Sequence, residues 1–121
     1  MGKRNFKELQ VWQKSKDLAV LIYKITRSGP ASKDFGLRDQ LQRAAVSFPS
    51  NIAEGNERET DKESVRYFYI ARGSAAEILT QLITAAEIGY VGREDFIDLE
   101  QRCLQISRML TRLIAVRSSG F

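Results

Sequence analysis

Phe96, Leu99, Cys103, Ile106, Leu110 and Leu113 are separated by steps of three, four, three, four and three residues. An upstream series, Val65, Phe68, Arg72, Ala75, Leu79, Leu82 and Ala86, alternates in the same way. Steps of three and four return a side chain to one face of an α-helix, and a strand needs a period of two. A seam sustained over this length suits near-antiparallel packing of long helices. These two stretches commit a third of the chain to a helical bundle.

Glycine, proline and polar runs mark where the helices stop. The first helix is expected over about 5–27. Asn5 offers an N-cap with Glu8 three residues on, and Gly29-Pro30 closes the segment. Leu9, Trp12, Ala19, Ile22 and Tyr23 recur at helical spacing, as do Val11, Leu18, Ile22 and Ile25. A second helix is expected over about 34–55, with Leu37, Leu41, Ala44 or Ala45, Phe48 and Ile52 as its stripe. Pro49 interrupts it, removes one backbone hydrogen bond and predicts a kink. The stripe resumes in phase at Ile52, which favours one kinked unit over two shorter helices. The polar stretch Gly55–Thr60 reads as a loop, after which Thr60 or Asp61 caps a third helix to about 88, where Gly89 ends it. The fourth helix spans about 93–116. A second apolar row on helix three (Tyr67, Ile70, Ala71, Ile78, Ala85) implies burial on more than one side, one toward the bundle and another toward a partner subunit.

The expected fold class is therefore all-α: one domain over 1–121, an up-and-down antiparallel four-helix bundle with helix two kinked at Pro49. Matched helix lengths and short connections between helices two and three and between three and four favour antiparallel neighbours. Helices one and four are then adjacent.

The chain has no histidine and a single cysteine. That excludes a Ser-His-Asp triad, a Cys-His pair, histidine zinc sites and an internal disulfide. It also excludes carboxylate di-iron bundles, which need Glu-x-x-His on two helices. Cys103 falls on the helix-four seam and reads as an inert buried thiol. No Gly-rich phosphate loop, metal-ligand cluster or nucleophile beside a base is present, so neither catalysis nor a cofactor is expected. No apolar run approaches the length of a membrane helix, and no signal-peptide core follows the N-terminus, so the expected location is the cytoplasm.

The net charge is +4, and its distribution is uneven. Residues 1–30 hold seven Lys/Arg against two acids, and four arginines with no acid follow Glu100. Adjacent first and fourth helices would join these two basic ends into one surface. Lys3, Lys7 and Lys14 share a face of helix one at steps of four and seven. Lys24 extends the charge near its end, and Arg108, Arg112 and Arg117 supply helix four. This set is the candidate nucleic-acid interface, a surface for phosphate contact.

Four further polar residues are candidates for a structural core. Arg72 interrupts the apolar seam of helix three and, if buried, needs a partner, with Glu54 and Glu77 the candidates. Asn51 and Glu54 stand where they can hydrogen-bond across the kink at Pro49. Gly73-Ser74-Ala75-Ala76 is a run of small residues in mid-helix, read as close approach of another helix. Trp12 is a core or interface anchor rather than a platform for base stacking.

Several of these stretches carry a resemblance. They are Phe6-x-x-Leu9-x-Val11-Trp12, the stretch from Gly36 to Asn51-Ile52-Ala53-Glu54-Gly55, Ala71-Arg72-Gly73-Ser74-Ala75-Ala76-Glu77-Ile78, and Ala86-Glu87-Ile88-Gly89-Tyr90. Together they resemble the bacterial four-helix-bundle proteins encoded by intervening sequences of 23S ribosomal RNA genes. The accessory variability protein of diversity-generating retroelements is related to them. The resemblance implies a homopentameric ring. For the retroelement members it implies binding to nucleic acid and to a reverse transcriptase through a basic surface. The functional expectation is a non-enzymatic homo-oligomer that associates with RNA or DNA. The alternative is an adaptor that recruits a protein partner, such as a polymerase, without touching nucleic acid.

Overall fold

The structure, a computed structural model, describes residues 5–119. Four helices dominate it: α1 (Gln10–Thr26), α2 (Phe35–Asn56), α3 (Asp61–Ile88) and α4 (Arg93–Ser118). α1 packs on α2 and α4, and α3 packs on the same two helices, so consecutive helices are neighbours and the bundle closes between α1 and α4. The α2–α3 contact is the most extensive and the α1–α4 contact the least.

The expected caps of the third helix form. Thr60 Oγ1 accepts from the Glu63 amide at 3.2 Å and opens α3. Gly89 adopts φ 94°, and the Tyr90 amide donates to the Ala85 carbonyl at 2.8 Å, which closes the same helix. Asp34 caps α2 by accepting from the Leu37 amide at 3.2 Å. The other oxygen of Asp34 accepts from the Tyr90 hydroxyl at 3.1 Å, tying the α3–α4 turn to the start of α2.

Helix one departs from expectation at its start. Asn5 does act as a cap, accepting from the Lys7 amide at 2.9 Å, but it caps a separate 3-10 turn over Phe6–Glu8. Leu9 is extended, at φ −74° and ψ 125°, and α1 begins only at Gln10. The turn folds back onto the helix. Phe6 packs edge-on against Trp12 at 5.1 Å, and the Gln13 side chain donates to the Lys7 carbonyl at 2.7 Å. Trp12 is thus a half-buried anchor for this turn.

α2 runs through Pro49 as one helix. Asn51 spans the proline, as expected, donating from Nδ2 to both the carbonyl and the hydroxyl of Ser47 at 2.9 Å. Ser47 in turn shares a 2.9 Å hydrogen bond with Ser74 of α3. The helix ends at Asn56, one residue beyond its expected end at about 55 and inside the stretch read as a loop.

The core runs the length of the bundle and includes Leu18, Ile22, Leu41, Phe48, Ile52, Phe68, Ile78, Leu82, Leu99, Ile106 and Leu110. Of the second apolar row on α3, Ala71, Ile78 and Ala85 are buried in the bundle itself, because α3 has neighbours on two sides; Ile70 remains exposed. The small-residue run divides in two. Ser74 and Ala75 are buried, whereas Gly73 faces open space, and a Cβ there would meet nothing within 4 Å. Close approach happens instead at Gly55, where a Cβ would stand 2.7 Å from Cε1 of Phe68.

Candidate nucleic-acid interface

The sequence proposed seven cations, and the fold treats them differently. Lys3 lies outside the described residues. Lys7 is exposed but belongs to the 3-10 turn, so it does not share a helical face with Lys14. Lys14 is exposed one turn after Gln10, and Gln10 lines a groove of about 360 Å³ between α1 and α4. Arg112 lines the same groove from α4, along with Met109 and Leu113. Arg108, one turn earlier than Arg112, is also exposed. Of these three, Arg112 alone lines the α1–α4 groove, along the least extensively packed seam of the bundle, whereas Arg108 borders a separate cleft on α4 with Asp98 and Arg102.

Lys24 sits elsewhere. Ten residues from Lys14, it is rotated by roughly 80° about the α1 axis at 100° per residue. It borders a second groove, between α1 and α2, with Lys16 and Arg27.

Arg117 turns inward and leaves the surface set. Its Nη2 donates to Asn56 Oδ1 at 3.3 Å, and its guanidinium lies 5.5 Å from the ring centre of Phe68. The signal for this was present in the sequence. Continuing the helix-four steps past Leu113 by four lands on position 117, which puts Arg117 in phase with the core side of α4.

Four ion pairs form among the described residues: Lys16–Asp17, Arg38–Asp39, Arg58–Glu54 and Arg102–Asp98. None involves Lys7, Lys14, Lys24, Arg108 or Arg112. These cations carry their charge into solvent without a carboxylate to offset it. A phosphate contact releases counterions only from charges left available in this way.

The expected polar core takes a different form. Arg72 is half-buried rather than enclosed, and neither Glu54 nor Glu77 reaches it. Its Nη1 donates to Thr111 of α4 at 3.1 Å, and the guanidinium lies 4.9 Å from the Tyr69 ring centre. A long stem lets an arginine cover apolar surface while its charged head stays in water, so no buried counterion is needed. Glu54 does not bridge the proline. It accepts from Arg58 at 2.8 Å, one turn on. Glu77 is exposed beside a polar cleft with Gln40, Arg43, Ser47 and Gln81. Asn51 alone fills its expected role. Ser15, Thr26, Asn56 and Ser64 are buried polar side chains that sequence reasoning missed; Asn56, only 1% exposed, was missed because position 56 looked like part of a loop.

The chemistry of the described residues is correspondingly quiet. No group of three or more His, Cys, Asp or Glu stands where it could hold a metal ion. Cys103 is fully buried and donates to the Ala75 carbonyl at 3.5 Å. Burial pushes its thiol up to about 12, so at neutral pH it is not a nucleophile. No described helix is long and apolar enough to cross a membrane.

Comparison with known proteins agrees with the four-helix fold. The 23S rRNA-intervening sequence protein family matches residues 7–112. A solved structure from Bacteroides thetaiotaomicron, described as a protein of unknown function from the S23 ribosomal protein family, superposes with a TM-score of 0.79. It is 25% identical, and the alignment covers 86% of this chain and 97% of that one. No curated protein matches the chain.

Proposed function

This chain belongs to the 23S rRNA-intervening sequence protein family, and we propose that it is a non-enzymatic homo-oligomer that associates with RNA or another nucleic acid through its α1–α4 seam. One observation carries the reading. Lys14 of α1 and Arg108 and Arg112 of α4 are exposed on the two helices that form this seam, with Lys7 on the turn before α1, and no described carboxylate pairs with any of them. Contacts of this kind go to the phosphate backbone, so affinity is dominated by charge and sequence preference is modest. Self-association has its own support in the exposed Tyr69, Ile70 and Ile83 of α3. A ring would repeat the seam once per subunit and raise the local field.

The test is a titration of labelled structured RNA by fluorescence anisotropy at about 50 and about 200 mM salt, with matched DNA alongside. Binding that weakens steeply with salt, and that disappears in the triple variant Lys14→Glu, Arg108→Glu, Arg112→Glu, is the expected outcome. Unchanged affinity in that variant would sink the proposal. No binding at the lower salt would favour a protein adaptor.

A further inference from the structure

The second groove, between α1 and α2, has a different character. It encloses about 390 Å³ and is lined by Ala19, Val20 and Tyr23 of α1 and Val46 and Pro49 of α2, with Lys16, Lys24 and Arg27 around it. Ala19 and Pro49 are short and buried, so they form a recessed floor. Val20, Tyr23 and Val46 rise beside that floor, each more than two-fifths exposed: 44%, 42% and 44%. The bundle core gains nothing from large apolar side chains left in water at these positions. Clustered apolar exposure with a polar rim is the usual mark of an interaction site.

The rim is entirely cationic. Lys16 is paired with Asp17, but neither Lys24 nor Arg27 has an ion-pair partner among the described residues. From Lys16 to Arg27 the groove follows roughly 17 Å of α1, the length of about three turns of a partner helix. An apolar trough of that length with basic edges complements an amphipathic helix that carries carboxylates beside its apolar stripe. Other occupants fit less well. Tyr23 is the only aromatic ring in the lining, whereas single-stranded nucleic acid is gripped by several stacking rings in series. A twofold pairing of this face with itself would bring two sets of three cations together.

We propose that the α1–α2 groove is a docking site for an acidic amphipathic helix of a protein partner. The apolar stripe of that helix seats on Ala19, Val20, Tyr23, Val46 and Pro49, and its carboxylates meet Lys24 and Arg27. This site is separate from the α1–α4 seam, so the protein can hold a nucleic acid and a protein segment at once.

The experiment uses the full chain and a labelled synthetic helix of about 14 residues, roughly four turns, with Leu at positions i, i+3, i+4 and i+7 and Glu on both flanks. A second probe replaces each Glu with Lys. The acidic probe is expected to bind and the basic probe not to. Val20→Glu with Val46→Glu, two exposed positions that leave the core intact, should weaken the acidic probe at least about tenfold, as should Lys24→Glu with Arg27→Glu. Lys14→Glu, Arg108→Glu, Arg112→Glu should leave probe binding unchanged, which separates this result from failure of the nucleic-acid reading. Equal binding of the two probes, or no effect of the groove variants, would overturn the proposal. So would displacement of the acidic probe by a single-stranded oligonucleotide. Loss of self-association in the Val20→Glu, Val46→Glu variant by sedimentation would assign the groove to a second copy and overturn it as well.

Discussion

Arg117 Nη2 donates to the buried Oδ1 of Asn56 at 3.3 Å, joining the last turn of α4 to the last residue of α2. The guanidinium also sits over Phe68 of α3, so one side chain ties together three of the four helices at this end of the bundle. Arg117→Ala should therefore act on stability rather than on nucleic-acid affinity. A hydrogen bond to a charged donor contributes about 1.5–3 kcal/mol, and the expected loss is within that range. Urea unfolding checks it, alongside the anisotropy titration. A weakened RNA interaction with unchanged stability would return Arg117 to the binding surface.

Two glycines should respond to alanine with opposite signs. At Gly55 the new methyl would press on Phe68 and stand 3.1 Å from the Ser64 carbonyl oxygen, which is backbone and cannot rotate away. Overpacking of this kind costs about 1–3 kcal/mol. At Gly73 the methyl meets nothing, inside a helix, so Gly73→Ala should stabilise by up to about 1 kcal/mol. Thermal melts of the two single variants decide the matter. Stabilisation by Gly55→Ala would show that α2 and α3 can move apart without cost.

The thiol of Cys103 makes stability depend on alkaline pH. Burial raises its pKa from 9.0 to about 12 in the folded chain. The folded state therefore keeps its proton where the unfolded state has released its own. The contribution is fully present below about 9 and falls away as pH rises toward about 12. Urea midpoints of the wild type should drop more steeply over that window than those of Cys103→Ala. Parallel slopes would mean that the thiol is solvated in the native state. In the same vein, a maleimide should label Cys103 only when the protein is unfolded.

Each unpaired cation of α1 and α4 should behave as one phosphate contact. Lys14→Gln, Arg108→Gln and Arg112→Gln, made singly, should each reduce the slope of log K against log salt by about 1 and weaken binding evenly across RNA sequences. Arg43→Gln, on the α2–α3 cleft, should change neither. If one seam variant instead altered sequence preference, that residue would be reading bases.

The bundle itself was legible in local sequence. Thr60, Gly89 and Gly92 end or begin helices through contacts within one or two turns, and the three-four stepping of α4 identifies its buried face without reference to any other helix. Even the inward turn of Arg117 follows from that stepping, although its charge pointed to the surface. Asn51 bridging Pro49 is likewise a contact four residues long.

What the tertiary structure decided is where each helix meets its neighbours. Gly55 and Gly73 look alike in sequence, yet only Gly55 lies against Phe68, across the turn on α3. Gln10 and Lys24 belong to one helix but border different grooves, since each groove is made jointly with a second helix. Arg72 found Thr111 rather than a carboxylate because its flexible stem could reach the exposed flank of α4. Capping, turn chemistry and periodicity act over a few residues, and so sequence by itself fixes them. Helix rotation and spacing emerge from the packing of all four faces at once, and they determine which cations are left free to meet a ligand.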